Sequence, residues 1–239
     1  MARVLAIVPA FNEEKNLISL YRKLKSVELE DHTFDIIIIN DCSTDRTKEV
    51  CDVNGIPVIN LPCNLGIGGA VQSGYKYALK NDYDIALIAL QVDGDGQHDP
   101  SYITKLIAPI INGESDMVIG SRYIQKRGFQ SSKMRRLGIR YFTLLLQATT
   151  GQKITDPTSG FRACNKKMIR EFARYYPVDY PEPESIMFSK RNRFVIKEIA
   201  VEMKARTEGH SSITSLKSVY YMSKVSLAII IDKMRKEMV

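Results

Sequence analysis

Residues 35–45, Asp-Ile-Ile-Ile-Ile-Asn-Asp-Cys-Ser-Thr-Asp, decide the fold. A strand with one wet face alternates apolar and polar residues. The unbroken β-branched run in Asp35–Ile39 instead predicts a strand buried on both faces, as in a parallel sheet covered by helices. The polar residues Asn40 to Asp45 end it, and Ser43 reads as the cap of a helix running to about Val53.

Outward from this strand the pattern repeats. Val4–Val8 reads as a first strand and Glu13–Val27 as a helix, with apolar spacing at Leu17, Leu20, Tyr21 and Leu24. Downstream, Ile56–Leu61 is a third strand, Gly68–Lys80 a helix, Ile85–Val92 a fourth strand, Ser101–Ile111 a helix and Asp116–Gly120 a fifth strand. Such alternation predicts an α/β fold with a mostly parallel, Rossmann-like sheet flanked by helices. Beyond Gly120 the expected elements are a helix over Ser131–Thr150, a helix over Lys166–Tyr175, an extended segment over Phe194–Ala205 and a final amphipathic helix over Ser218–Glu237. No repeat or linker interrupts the chain, so residues 1–239 are expected to form one domain.

The 239 residues are 44% hydrophobic, enough for a sizeable core, and carry a formal net charge of +7. Seven Lys and Arg lie between Arg122 and Arg140, with no Asp or Glu among them. An acidic or phosphorylated partner is implied, or else a solvated basic face. The four cysteines form no CxxC pair and have no histidine at ligand spacing, so neither zinc nor disulfides are expected. The start reads as a strand rather than a secretory signal, and the longest apolar runs fall far short of the ~20 residues of a membrane span. A reduced, cytoplasmic chain that does not span a membrane is the expectation.

In open α/β sheets ligands gather at the carboxyl ends of the strands. After the first strand come Pro9-Ala10-Phe11-Asn12-Glu13, and after the second come Asn40 to Asp45. After the fourth come Asp93-Gly94-Asp95-Gly96-Gln97-His98. Residues two apart in an extended segment point the same way, so Asp93 and Asp95 can face one site with Gln97 beside them. Two carboxylates and an amide oxygen suit a hard cation, Mg²⁺ or Mn²⁺; Gly94 and Gly96 admit a closely approaching phosphate. The plain alternative is a polar turn. Asp41 is placed to accept a hydrogen bond from a base N–H, while Asp45 and its neighbours serve the helix start. The segment from Asn64 to Gly74 matches a dinucleotide fingerprint imperfectly and follows the wrong strand.

Taken together, these segments, with Gly120-Ser121-Arg122-Tyr123 and Asp156-Pro157-Thr158-Ser159-Gly160-Phe161-Arg162, resemble family-2 glycosyltransferases of the GT-A fold. Within them they resemble the branch of dolichyl- and polyprenyl-phosphate sugar synthases. The resemblance covers residues 1–165 in ordered succession. It implies a nucleotide-sugar half over residues 1–120 and an acceptor half over 121–239. It places Pro9, Ala10, Asn12, Glu13, Asp41, Gly68, Asp93, Gly94 and Arg206 on the nucleotide sugar, with His210 near its diphosphate. It makes Asp95 the principal metal ligand, with Asp93 and Gln97, and it implies inversion by in-line attack from the acceptor. UDP-sugars are the expected donors, and GDP-sugars the other option.

A polyprenyl phosphate is already ionised and needs no strong base, only cations to hold it. Arg122, Arg135, Arg136 and Arg162 are the candidates, since guanidinium forks suit phosphate oxygens. The basic stretch 126–140 leading into Tyr141–Ala148 reads as a helix on an anionic membrane surface, or one packed on the core. The last helix, with Lys233, Arg235 and Lys236 after Val225–Ile231, has the same makeup and also suits a dimer contact. The larger members of the branch carry C-terminal transmembrane helices, so this chain is expected to dock peripherally at the inner face of the membrane, on lipid or a small membrane-protein partner.

The rival is a hydroxyl acceptor, a lipid-linked sugar or cell-wall polysaccharide, served by a carboxylate base. Pro181 and Pro183 are read as holding Glu182 and Glu184 in an extended loop, with Glu184 the catalytic choice. Carboxylates at three strand ends repel a nucleic acid. A nucleotidyltransferase needs a Gly-rich basic loop after the first strand, where this chain has Asn12-Glu13-Glu14.

Overall fold

The computed structural model describes residues 1–89, 100–125, 133–202 and 215–235. Its elements are β1 (Arg3–Ala10), α1 (Leu17–Lys25), β2 (Thr33–Asn40), α2 (Thr47–Val53), β3 (Val58–Asn60), α3 (Gly66–Lys80), β4 (Ile85–Ala89), α4 (Tyr102–Ile111), β5 (Met117–Ser121), α5 (Lys133–Thr150), β6 (Phe161–Asn165), α6 (Lys166–Arg174), α7 (Pro181–Arg191), β7 (Ile196–Ala200) and α8 (Ser215–Met234). The strands form a seven-stranded sheet in the order β3-β2-β1-β4-β6-β5-β7, parallel except for β6.

The isoleucine run behaves as its pattern predicts. Ile37, Ile38 and Ile39 are buried, alternating between the two cores. On one face, Leu17, Leu20 and Leu24 of α1, Cys51 of α2 and Ile103, Leu106 and Ile107 of α4 cover the sheet. On the other, α3 and α6 pack beside α5, α7 and α8 through Tyr75, Phe142, Phe172, Phe188 and Ile229. β2 pairs with β1 along its whole length, but β3 covers only Ile38–Asn40. Pro57, whose carbonyl accepts from the Ile38 amide, has no N–H to extend the ladder.

The structure adds or corrects four elements. Strand β6 is absent from the sequence reading; it enters antiparallel between β4 and β5 and so brings its first residues, Phe161 and Arg162, to the edge where the parallel strands end. Helix α7 replaces the expected proline loop. Pro181 stands at the helix start, where its missing N–H is one the helix leaves unbonded anyway, and Pro183 falls within the same first turn. Ser43 caps nothing, because α2 begins at Thr47, whose amide donates to Asp45 Oδ1 at 2.9 Å. The first helix starts at Leu17 rather than Glu13, after a turn in which the Glu13 carbonyl accepts from the Asn16 and Leu17 amides. Among the described residues, no helix is long and apolar enough to cross a membrane. All four cysteines are free thiols.

Candidate active site

The loops after β1 and β2 lock together. Asn12 adopts φ 58°, a conformation asparagine tolerates better than most side chains. Its Oδ1 accepts from the Thr44 amide at 2.8 Å, and its own amide donates to Ser43 Oγ at 2.9 Å. The Glu13 amide donates to Thr47 Oγ1 and the Glu14 amide to Asp45 Oδ2. Burial pushes the Asp45 carboxyl up, but hydrogen bonds from the Thr47 hydroxyl and the Thr47 and Glu14 amides outweigh it and hold it low. The Asn12 side chain is therefore engaged in shaping the loop.

This latch lies at the carboxyl ends of β1 and β2. The buried Asp41 donates its amide to the Ala10 carbonyl, so Pro9, Ala10 and Asp41 stand together. Asp41 Oδ1 accepts from the Leu65 amide at 2.7 Å, which ties β2 to the start of α3, and its Oδ2 takes no partner among the described residues.

Gly68, which the resemblance sets on the nucleotide sugar, spends its amide inside the fold. Its N–H donates to the Val178 carbonyl at 3.0 Å. A Cβ there would lie 2.1 Å from Pro177 O and 2.2 Å from Val178 O, both backbone atoms. The glycine lets the segment before α7 cross directly over α3. Gly68→Ala is expected to lower stability by about 1–3 kcal/mol, the usual range for overpacking, read as a shifted denaturation midpoint.

The arginines divide into two groups. The buried Arg122 is bidentate to the buried Asp156, Nε to Oδ2 at 2.6 Å and Nη2 to Oδ1 at 2.8 Å, with Nη2 also reaching Thr158 Oγ1. Burial opposes the charge on Arg122, but the Asp156 carboxylate more than offsets it. Glu198 of β7 fixes that turn by accepting from the Thr155 and Asp156 amides, and burial pushes its own carboxyl up.

Arg162 is the larger correction. It is 1% exposed, and its donors go to Ser159 O, Pro157 O and Ser185 Oγ at 2.7, 3.0 and 2.7 Å. It braces β6 to the 157–159 turn and to α7, and is not placed to hold an acceptor phosphate. Arg135 and Arg136, in the first turns of α5, are exposed and half-buried.

The two glutamates of α7 point apart, as a rotation of about 200° over two helical residues requires. Glu182 lies on the Arg162 side, where burial raises its carboxyl and Arg162 and Arg135 partly counter that. Glu184 faces a cavity of about 220 Å³ between α7 and α8, lined by Tyr175, Met187, Phe188, Ile229 and Asp232. The expected base is thus turned away from the Arg162 side.

Burial, then the neighbouring Asp179, pushes Glu184 up from 4.5 to about 7, with Lys224 countering. A carboxyl raised on folding binds its proton more tightly in the native state. Its contribution is therefore present at low pH and lost as pH rises through about 4.5 to 7. Glu184→Gln is expected to flatten that decline in the pH–stability profile.

Asp93, Gly94, Asp95, Gln97, Arg206 and His210 lie outside the described residues. Among the described residues, no group of three or more His, Cys, Asp or Glu is placed to hold a metal ion. β4, which carries the chain to residue 89, lies between β1 and β6.

A family model described as glycosyl transferase family 2 matches residues 5–172. The chain is 30% identical over 220 residues to the UDP-N-acetylglucosamine–dolichyl-phosphate N-acetylglucosaminyltransferase of Methanococcus voltae, spanning 82% of this chain and 83% of that one. It is 29% identical over 218 residues to the dolichol-phosphate mannosyltransferase of Pyrococcus furiosus, spanning 88% of this chain and 59% of that one. Glucosyl-3-phosphoglycerate synthase of Mycobacterium tuberculosis, solved with Mn²⁺, UDP-glucose and phosphoglyceric acid, matches with a TM-score of 0.72 at 18% identity. That match covers 99% of this chain and 81% of that one. This last likeness is one of fold.

Proposed function

The chain belongs to glycosyltransferase family 2, and from that premise we propose that it moves a sugar from a UDP-sugar to a polyprenyl phosphate, inverting the anomeric carbon. The observation that carries the reading is the grouping of Pro9, Ala10 and Asp41 at the ends of β1 and β2, with β4 next to β1. Asp41 has one oxygen committed to Leu65 and one left for a base N–H, with Pro9 and Ala10 beside it. The Methanococcus voltae relative, named for a UDP-sugar and a dolichyl phosphate, supports the donor and acceptor classes across most of both chains.

Asp93, Asp95 and Gln97 follow β4 and supply hard oxygen donors, a set that fits Mg²⁺ or Mn²⁺. A divalent cation held there supplies charge neutralisation for the donor diphosphate and for the leaving nucleotide. The M. tuberculosis neighbour, solved with Mn²⁺ and UDP-glucose, supports that choice of cofactor.

Arg135 and Arg136 hold the acceptor phosphate once Arg162 is assigned to the interior. An ionised phosphate oxygen attacks the anomeric carbon as the bond to the nucleoside diphosphate breaks, so no proton has to be removed. Arg122, fixed by Asp156, shapes the β5 end behind them. A lipid-borne acceptor places the reaction at the membrane surface, on the cytoplasmic face where nucleotide sugars are made.

A hydroxyl acceptor is the second reading, and one observation favours it. Glu182, with its carboxyl raised by burial and acted on by Arg135, is the α7 carboxylate nearer the arginines assigned to the acceptor.

The test is turnover with Mg²⁺ or Mn²⁺, a panel of UDP- and GDP-sugars, and a short polyprenyl phosphate in detergent. Metal-dependent labelling of the lipid supports the reading. Nucleotide release only with a hydroxyl acceptor moves it to Glu182, and no nucleotide-sugar binding overturns it.

A further inference from the structure

Helices α5 and α8 each present two apolar stripes where a core helix needs one. On α5, Ile139, Phe142 and Leu146 are buried, while Met134, Leu137, Tyr141 and Leu144 lie on the opposite side in solvent, Leu137 61% and Leu144 66% exposed. On α8, Val225 and Ile229 are buried, while Tyr220, Leu227, Ile230 and Met234 face out, Leu227 59% exposed. On α5 the outer residues recur at spacings of three and four and form one ridge; on α8 Leu227, Ile230 and Met234 do the same, with Tyr220 two turns before them. The Tyr141 hydroxyl bonds to Ser226 Oγ at 2.9 Å and Phe142 meets the Tyr221 ring, so the helices lie side by side. An apolar face of this extent marks an interaction surface.

The charges say what covers it. α5 contains Lys133, Arg135, Arg136 and Arg140 and no acidic residue. The one acid of α8, Asp232, is turned inward against Arg191. The helices' own charges beside the ridge are therefore cationic, Arg140 on α5 and Lys233 on α8, while Lys224 of α8 pairs with Asp179. Apolar side chains flanked by cations fit the boundary between acyl chains and anionic head groups.

We propose that the α5–α8 face is the surface by which this protein docks on an anionic lipid monolayer. Leu137, Leu144, Leu227 and Ile230 insert, and Arg140 and Lys233 rest on the head groups. The inference deepens the lipid-acceptor reading and rests on it. Arg135 acts electrostatically on Glu182 and Tyr221, so the first turn of α5 borders the site while the ridge continues away from it. A lipid phosphate drawn from the monolayer then meets Arg135 and Arg136 at the end of the docking face.

The experiment is co-sedimentation of the full chain with phosphatidylcholine vesicles, with and without phosphatidylglycerol, beside transfer to a short polyprenyl phosphate in detergent. Wild type is expected to bind the anionic vesicles. Leu137→Glu/Leu144→Glu and Leu227→Glu/Ile230→Glu are each expected to weaken binding at least about tenfold. Arg140→Glu/Lys233→Glu is expected to remove the dependence on anionic lipid and on salt. All three variants keep their melting temperature and detergent-phase transfer. Vesicle binding unchanged in the leucine variants, or absent in wild type, overturns the proposal. A wild-type dimer in light scattering that the same variants split, without vesicle binding, reassigns the face to a contact between copies. Vesicle binding that follows these expectations with no transfer to any lipid acceptor sinks the proposed reaction and leaves the docking surface standing.

Discussion

Asp156→Ala is expected to cost about 3–5 kcal/mol of folding stability, the range for removing one partner of a buried ion pair. The reason is what remains. The carboxylate is fully buried and receives Arg122 Nε, Arg122 Nη2 and the Arg122 amide. Without it a guanidinium stays in the interior with the Thr158 hydroxyl and the Tyr123 ring as its remaining side-chain partners. Glu198 also loses its geometry, since the turn it holds through the Thr155 and Asp156 amides is no longer anchored to the β5 end. Equilibrium denaturation measures the loss. The control is Asp156→Leu combined with Arg122→Met, which removes both charges and is expected to recover most of the stability. A double variant as unstable as Asp156→Ala shows that the turn, not the stranded charge, carries the effect.

Asp95→Asn is expected to lower the turnover number by on the order of 10²–10³, from the several kcal/mol that a metal contributes to a developing charge at about 1.4 kcal/mol per decade. Asparagine keeps the size and one oxygen but loses the charge that a hard dication selects. Chelation with EDTA is expected to act comparably on wild type and little on the variant. Restoration by Mn²⁺ in wild type alone ties the effect to the metal. Equal rates in variant and wild type remove Asp95 from the site.

The first half of the fold was legible because period and burial agree there. Four isoleucines in a row have no wet side, so the strand had to lie between two helical layers. The strand-end positions of Ala10 and Asp41 were legible for a related reason: a buried parallel strand delivers its last residue, and the one after it, to a single edge. β6 was not legible. Phe-Arg-Ala-Cys-Asn is short and carries a cation at its second position, and only the tertiary partners Ser159, Pro157 and Ser185 satisfy that guanidinium.

The same blindness made Arg162 look like a phosphate ligand, since nothing local distinguishes an arginine at the surface from one spent on carbonyls. The Pro-Glu-Pro-Glu segment was misread because prolines exclude helix interiors but not first turns. The packing role of Gly68 gave no local signal, because its crowding comes from Pro177 and Val178, more than 100 residues away. Tyr176 and Tyr221, which flank Glu182, gave no sequence signal beyond their apolar bulk.

The place of β6 in the sheet also sets the order of events during synthesis. β4 and β5 are made first, yet they never pair with each other, and the slot between them is filled by residues 161–165. Until the ribosome has added the roughly 40 residues after Ser121, about 2–8 s at ordinary rates, the edges of β4 and β5 that flank this slot face no partner, and the other edge of β5 waits longer still for β7. Such edges invite pairing with another molecule. The edges of β5 are therefore covered only when both late strands, β6 and then β7, have arrived. A fragment ending at β5 lacks both strands that pair with β5 and leaves its edges open to other chains.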